Sequence, residues 1–470
     1  MNVSWREHGA VKDICLDSIA WFLVFVSGIV FLELANTIFG VGERPFAAVC
    51  LGLMVLIAYR TWKESEQGNH PIFLFMVFLI LFQYARLVQW VVFGAWSIAD
   101  FDLTVRTPFT IDPTELKRTL VLIPVSAAFV YLGFFYRTSN RVMNFTSNPE
   151  MRRFFGWLFT LTIPFVVYKD AHYLSYALHH GGYAALYFSN GAQEKSVGML
   201  VRGIGLVNKT AFFTYVILED RRAYLRLALL AFLGVLVLDL LTGFRGEFFE
   251  NTIFLWMVYN TKVGKSFRPL TGLLIAVGFI FAAVGAEIYR KTAAGPIHGN
   301  IVEYLLRDQG VSFYVTASAV MFYHHFHPHI WHYLFNQIYL PYTILSRLPP
   351  GALFTLDLTA FLNPHIAYFA LGTGEAYLAH LYLIDGLWTV CLGSLIIGLL
   401  CRGLTQVRSV YSRTIAFSIL LWIPYMPRAG YLEAVATSSK FVLGATSGFA
   451  LYAVYAWIAH YLKRVRATDV

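Results

Sequence analysis

Charged residues are scarce in this chain, and cysteines are few and scattered. Asp, Glu, Lys and Arg make up 13% of the 470 residues, while apolar residues make up 58%. A typical soluble domain is about 25% charged and about 45–50% apolar. The four cysteines (Cys15, Cys50, Cys391 and Cys401) show neither a disulfide framework nor the spacing of a zinc site. These shortages argue against a soluble globular domain and against a disulfide-stabilised secreted domain.

Phosphate-loop and dinucleotide-binding motifs are also missing. Gly203 and Gly205 are closely spaced, but they lie inside an apolar run and do not follow a strand. The basic connections between the apolar runs are short, so we expect no cytoplasmic domain, no nucleotide-driven chemistry and no cofactor. The N-terminal segment lacks a small-residue cleavage site, which predicts that the first apolar run stays as an anchor.

Apolar runs of about 20 residues recur along the whole chain and predict an all-α polytopic membrane protein with about 12 transmembrane helices. We expect a single integral membrane domain over residues 1–470 and find no internal repeat. The predicted spans lie near 17–38, 45–60, 71–97, 118–136, 154–170, 197–218, 225–243, 247–261, 270–289, 376–401, 414–427 and 440–461.

Basic residues orient these spans. More than half of the 36 lysines and arginines fall at the two termini or in one alternate set of connections. The positive-inside rule therefore predicts that both termini are cytoplasmic. The net charge of +9 is mostly this topological signal and does not imply nucleic-acid binding. On the other side, a long loop over 290–375 joins the ninth and tenth spans, and aromatic-rich segments in it are typical of interfacial helices.

Arg245 lies at the predicted outer tip between the seventh and eighth spans. An ionisable residue at membrane depth is a functional hypothesis by default. The flanking Gly243 and Gly246 allow a bend or the close approach of a ligand. A guanidinium presents a planar fork of donors that suits phosphate oxygens. The alternative, an arginine that reaches for the interface and pairs with Glu247, stays open.

Other cations are predicted on the same side, in helices broken by glycine or proline. They are Arg202, Lys209, Arg290, Lys291, Arg307 and Arg428. A single arginine near a helix end is usually an interfacial anchor, but several on one side favour an anion site. A lipid diphosphate is the natural candidate, because its charge lies at headgroup level while its tail stays in lipid.

Candidate general bases are predicted on this outer side. They are His298, Asp308, Glu375 and Glu433, with Glu287 near the end of a span. A hydroxyl acceptor needs a base within hydrogen-bond reach as it attacks. Each carboxylate can instead be the ion-pair partner of a nearby arginine.

Histidines cluster in His324–His332, and His325, His327, His329 and His332 have the composition of a metal site. Alternating histidines would have to lie on a strand to point to one metal ion, and no carboxylate or cysteine is near them in the sequence to complete a ligand set. Sugar contact or interfacial packing is the favoured interpretation, and we expect no metal.

Three segments resemble polysaccharide polymerases of the Wzy type, including O-antigen and enterobacterial common antigen polymerases. The first is Gly243–Glu247, the second is Arg307–Tyr314, and the third is Gly374–Tyr377 followed by Asp385-Gly386, Gly393 and Gly398. The predicted topology and the long loop are also similar. The resemblance implies a GT-C-like fold in the bacterial inner membrane.

That resemblance implies a metal-independent glycosyltransferase that joins oligosaccharide repeat units on undecaprenyl diphosphate at the periplasmic face. By resemblance, Arg245 and Arg428 bind the diphosphate, with Arg290 and Arg307 as further candidates, and His298, Asp308 and Glu375 are candidate bases. The implied partners are a lipid-linked donor and acceptor and membrane lipids. A chain-length regulator and a flippase are candidate protein partners.

Three alternatives stay open. An O-antigen ligase shares the architecture and the donor but uses another acceptor, although the segment around Arg307 favours the polymerase. A transporter or lipid-linked oligosaccharide flippase also fits twelve spans, although such proteins often show repeated halves. A structural assembly subunit explains the outer cations poorly.

Overall fold

The computed structural model describes residues 4–65, 70–93, 100–102, 108–135, 148–179, 198–241, 310–336, 354–362, 376–407 and 409–468, together with 248, 251–252, 255–256, 258–260 and 262. The labelled helices are α1 (Ser4–Phe39), α2 (Glu43–Glu64), α3 (Pro71–Val88), α4 (Pro113–Phe135), α5 (Pro149–His179), α6 (Met199–Leu218), α7 (Arg222–Leu241), α8 (Val311–Met321), α9 (Tyr323–Phe326), α10 (Phe354–Leu362), α11 (Tyr377–Thr405), α12 (Val410–Trp422) and α13 (Glu433–Thr468).

Six of these helices are long and apolar enough to cross a membrane, which confirms the polytopic helical class. The six candidate spans are Leu16–Phe39, Glu43–Glu64, Pro71–Val92, Pro113–Phe135, Tyr377–Thr405 and Ser438–Leu462. The predicted spans 154–170, 197–218 and 225–243 coincide with α5, α6 and α7. The described residues between 248 and 262 are helical, and 270–289 lies outside the described residues. The total of twelve stays a prediction.

Several predicted loops are more regular than expected. α5 continues to His179, beyond residue 170, where we predicted that its span ends. In the predicted loop 98–117, strands β1 (Asp100–Asp102) and β2 (Pro108–Thr110) form an antiparallel ribbon. α4 begins early because the Asp112 side chain accepts a hydrogen bond from the Thr114 amide at 3.0 Å. Local capping therefore extends elements beyond their apolar runs.

The ends of the bundle can be named by their residues. At one end of the bundle, α1 and α3 finish, at Phe39 and Val88, and α2 and α4 begin. We call this the Phe39 end. The other end, where α2 finishes, is the Glu64 end. Arg60 there pairs with both Asp17 and Glu64, and Tyr131 donates to the Glu64 carboxylate at 2.8 Å. These bonds join α1, α2 and α4 at the Glu64 end.

α4 and α11 form a close helix pair at the centre of the bundle. A Cβ placed on Gly133 would overlap the Leu395 carbonyl oxygen, and one on Gly398 would overlap the Val130 carbonyl oxygen. The two backbones therefore touch through facing glycines, as small residues allow in membranes. Polar contact adds to this packing, because the Ser126 hydroxyl lies 2.7 Å from that of Ser394.

α11 is a helical hairpin and not the straight tenth span that we predicted. Its helical geometry breaks at Asp385 and Gly386, and Gly386 has a φ of 63°. The Ser126 hydroxyl contacts both Tyr377 and Ser394, at 2.6 and 2.7 Å. In a straight helix those two residues would be about 25 Å apart. The segments 377–384 and 387–405 therefore fold against each other, with Asp385-Gly386 at the tip.

α8 lies inside the bundle, although we expected interfacial helices in the loop 290–375. All nine residues from Ser312 to Val320 are buried. The helix packs against α3, α4 and α11. Eleven residues are too few to span a membrane, and a short apolar helix of this length is typical of a buried or re-entrant segment. Part of the predicted loop is therefore core.

Glu219 ends α6 with a buried carboxylate that joins two helices. Arg221 donates to it from both Nε and Nη2 at 3.0 Å, and the Tyr215 hydroxyl donates at 2.8 Å. Arg152 of α5 approaches to 3.7 Å. Burial raises the pKa of the Glu219 carboxyl, but these hydrogen bonds and the Arg152 charge outweigh burial and lower it to about 2. The charged form is therefore the stabilising one.

We expect Glu219→Gln to lower the melting temperature of the detergent-purified protein at pH 7. Because the folded-state pKa is depressed, the contribution of Glu219 is fully present above about pH 4.5 and declines as the pH falls towards about 2. The difference in melting temperature between wild type and variant should therefore be larger at pH 7 than at pH 3. An equal difference at both pH values would contradict this role.

Candidate active site

A buried arginine lies near the Phe39 end of α3. Arg86 is 1% exposed and falls within the candidate span Pro71–Val92. Its guanidinium carbon lies 4.7 Å from the centroid of the Tyr314 ring on α8. A guanidinium over a tyrosine ring makes a favourable cation–π contact. A charged residue within a membrane span is rare, and it makes Arg86 a candidate for a functional site.

A second arginine lies on the same side of α3. Arg428 ends the 3₁₀ turn Ile423–Arg428, which follows α12, and its guanidinium carbon lies 5.5 Å from the Phe82 ring centroid. Phe82 and Arg86 are four residues apart, so they share a helix face and are separated by about 6 Å along the axis. Arg86 and Arg428 therefore gather at one part of α3; we call this the arginine site.

Gln83 ties together the elements that carry the two arginines. Its Nε2 donates to the Pro427 carbonyl at 2.9 Å, directly before Arg428. Its Oε1 accepts from the Thr316 hydroxyl on α8 at 3.1 Å. One buried amide thus links α3, α8 and the 3₁₀ turn. Such satisfied buried bonds fix the side chains of a site before a ligand binds.

The position of Gly310, at the end of the Arg307-Asp308-Gln309-Gly310 sequence, leaves no room for a side chain. A Cβ at this position would lie 2.5 Å from Arg86 Cγ and 2.8 Å from the Arg86 backbone nitrogen. Any larger residue would displace the chain from α3. Gly310, which directly precedes α8, is therefore in close contact with the buried arginine.

His380 holds the chain that follows Arg428. It is fully buried on α11, and its Nδ1 accepts a hydrogen bond from the Tyr431 amide at 3.3 Å. The Phe354 ring of α10 lies 5.6 Å from the imidazole. Burial also raises the pKa of Tyr431. The short stretch from Arg428 to Tyr431 is therefore anchored at both ends.

The histidine-rich segment consists of helical turns and not of a strand. His327 lies in the 3₁₀ turn His327–His329, and its Nδ1 donates to the Leu383 carbonyl at 2.7 Å. His325 packs on Phe361, with ring centroids 4.5 Å apart. Alternating residues of such turns do not share a face. Among the described residues, no three His, Cys, Asp or Glu side chains are grouped to hold a metal ion.

Of the residues predicted to bind the diphosphate or to act as bases, only Arg428 has a described side chain. Arg202 and Lys209, which were predicted among the outer cations, lie on α6. Arg245, Arg290, Arg307, His298, Asp308 and Glu375 lie outside the described residues. Glu433 begins α13, but its side chain is not described. In sequence, Asp308 is two residues before Gly310, and Glu375 directly precedes Ala376 at the start of α11.

Sequence analysis missed Arg86 and Gln83. The signal for Arg86 was present, because the same criterion of an ionisable residue in an apolar run singled out Arg245. Gln83 had no such signal. Its role depends on contacts with residues more than 200 positions away.

Comparison with known proteins identifies one family. The model of the family described as O-antigen polysaccharide polymerase Wzy matches residues 17–445. No curated protein and no solved structure matches the chain. The matched range contains every residue of the arginine site.

Proposed function

The chain belongs to the O-antigen polysaccharide polymerase Wzy family, and from this premise we propose that it joins oligosaccharide repeat units carried on undecaprenyl diphosphate. The arginine site supplies the single observation that carries this proposal. The guanidinium of Arg428 lies near Phe82, one turn of α3 away from the buried Arg86. Guanidinium groups at headgroup depth suit a lipid diphosphate, whose tail stays in the bilayer.

The proposed reaction is a displacement at the anomeric carbon of the growing chain. A hydroxyl at the non-reducing end of the new repeat unit attacks this carbon, and the bond to the lipid diphosphate breaks. The hydroxyl proton passes to a base, and the diphosphate leaves with the bonding electron pair. Arg86 and Arg428 would stabilise the charge that develops on the diphosphate, which is the role of preorganised donors in a site of low dielectric.

We extend the site to predicted residues beyond the described part of the chain. Arg307 and Asp308 lie three and two residues before Gly310, which contacts Arg86. Arg245, Arg290 and Arg307 are proposed as further diphosphate ligands. His298, Asp308 and Glu375 are proposed as the candidate bases.

We propose that the arginine site faces the periplasm of a bacterial inner membrane and that both termini are cytoplasmic. Basic residues of the Glu64 end, such as Arg60, Lys63 and Arg402, support this orientation by the positive-inside rule. The arginine site is at the opposite end of α3. Lipid-linked oligosaccharides would then reach it from the outer leaflet.

To test this function, the purified protein in nanodiscs is incubated with the lipid-linked repeat unit of the host's surface polysaccharide, and the length of the glycan products is measured. We expect a ladder of longer glycans that remain on the lipid carrier. Transfer only to a lipid A–core acceptor would instead indicate a ligase. Movement of the substrate across proteoliposomes without elongation would indicate a flippase. Either result would overturn the polymerase.

The same assay ranks the candidate bases. We expect one of His298→Gln, Asp308→Asn and Glu375→Gln to lower the elongation rate by about 10²–10⁴-fold, the usual contribution of general base catalysis. The affected variant should keep its affinity for the lipid-linked substrate. Unchanged elongation in all three variants would remove these residues as bases.

A further inference from the structure

The tip of the α11 hairpin presents a carboxylate to its surroundings. Asp385 is exposed, and within the described part of the chain no hydrogen bond or ion pair to its carboxylate is found. The turn is held by other groups. The Asp385 amide donates to the Thr389 hydroxyl at 3.1 Å, and this hydroxyl donates to the Leu381 and Gly386 carbonyls. The carboxylate is therefore not needed to close the turn.

Aromatic side chains lie near the tip that carries this carboxylate. The Tyr323 and Tyr382 rings meet edge to face with centroids 5.7 Å apart, and His327 stacks on Tyr323 at 4.8 Å. Burial and the nearby charge of Asp385 raise the pKa of Tyr323. His327 is fixed in turn by its bond to the Leu383 carbonyl. We call Asp385, Tyr323, Tyr382 and His327 the tip cluster.

The tip lies next to a residue typical of the membrane interface. Trp388, three residues after Asp385, is 81% exposed. Tryptophan is enriched at headgroup level, where its ring is partly apolar and partly wet. This position suits the tip cluster to a ligand that is polar but held at the membrane surface.

An adjoining cavity has the character of a lipid site. It has a volume of about 820 Å³ and lies between α1, α4 and α11. Tyr382 and Leu387, on either side of the tip, both line it. Its walls are aliphatic at Val30 and Val125, and Lys117 lines it as well. An amphiphilic ligand with an apolar chain could therefore reach the tip cluster with its polar part.

We propose that the tip cluster is a carbohydrate-binding subsite for the repeat unit of the lipid-linked substrate. Sugar hydroxyls donate to an ionised carboxylate, which has acceptor capacity only. The polarised C–H groups of a sugar ring pack on the negative face of an aromatic ring, and tyrosine adds a polar hydroxyl. The proposal rests on the proposed polymerase function and adds Asp385, Tyr323 and Tyr382 as residues that determine substrate affinity.

The experiment uses Asp385→Asn and Tyr323→Leu in the full-length protein in nanodiscs. We expect the KM for the lipid-linked repeat unit to rise by about 10-fold in each variant, while kcat changes by less than about 3-fold. Binding of a polyprenyl diphosphate without sugar should not change. Glu115→Gln, which alters another carboxylate at the Phe39 end, serves as the matched control and should keep the wild-type KM.

Binding of the free, unlipidated repeat unit separates this proposal from the polymerase itself. Wild type should bind it, and both tip variants should bind it at least about 5-fold more weakly than the control. A wild-type protein that binds the glycan but does not elongate it would leave the subsite standing and overturn the polymerase. Elongation with an unchanged KM and glycan affinity in both tip variants would overturn the subsite alone.

Discussion

Replacing Arg428 by alanine is expected to lower the rate of glycan elongation by about 100-fold or more. Removing one preorganised donor from a site of developing negative charge costs about 10²–10³ in rate. Arg428 is half-buried at the end of a 3₁₀ turn, so its loss should leave the fold intact. The measurement is the initial rate of ladder formation in nanodiscs, together with the melting temperature of the same preparation.

Arg44 offers the matched control for this prediction. It is an exposed arginine at the Phe39 end, and its Nη2 donates to the Val91 carbonyl at 3.0 Å. Arg44→Ala removes the same charge from the same end of the bundle, outside the arginine site. We expect elongation within about 2-fold of wild type. If Arg428→Ala and Arg44→Ala lowered the elongation rate equally, the effect would come from the loss of positive charge at this end and not from the arginine site.

Among the described glycines, we expect the largest loss of stability when Gly398 or Gly133 is replaced by alanine. In both cases the new methyl group would overlap a backbone carbonyl oxygen of the facing helix, Val130 or Leu395. Backbone atoms cannot rotate away as a side chain can, so α4 and α11 must separate. We expect a cost near the upper end of the overpacking range, about 3 kcal/mol. The melting temperature in detergent should fall by roughly 3 °C.

Gly52 provides the comparison for these glycines. It lies in α2, and no atom would lie within 4 Å of an added Cβ. Gly52→Ala should be neutral or slightly stabilising, because alanine favours the helix. If Gly398→Ala and Gly133→Ala melted like Gly52→Ala, the close contact of α4 with α11 would be wrong.

Long apolar runs were enough to predict the membrane class and most of the helices. The apolar run around 71–97 predicted α3, which begins at a proline. The family resemblance also picked out Gly393 and Gly398, and the structure gives both a packing reason: Gly393 accommodates the Leu381 side chain, and Gly398 touches α4. Composition sets the apolar helices locally, so the sequence alone reveals them, whereas the two glycines were singled out by resemblance.

Features that depend on distant contacts could not be predicted in this way. The α11 hairpin has the composition of a single span, and only Asp385-Gly386 hints at its turn. α8 lies in a stretch that is too short for a span, so its burial against three helices was not visible. The arginine site combines α3, α8 and the 3₁₀ turn after α12, which the chain brings together from more than 300 residues apart. Arg428 was predicted there by resemblance, while Arg86 needed the structure.

The most direct test of the arginine site is equilibrium binding of a polyprenyl diphosphate that carries no sugar. Wild type and Arg44→Ala should bind it with equal affinity, and a polyprenyl monophosphate should bind more weakly. Arg428→Ala should lose at least about 10-fold in affinity, because a guanidinium–phosphate contact is a strong charge-assisted interaction. Wild-type affinity in Arg428→Ala would contradict the account, since the diphosphate would then bind elsewhere.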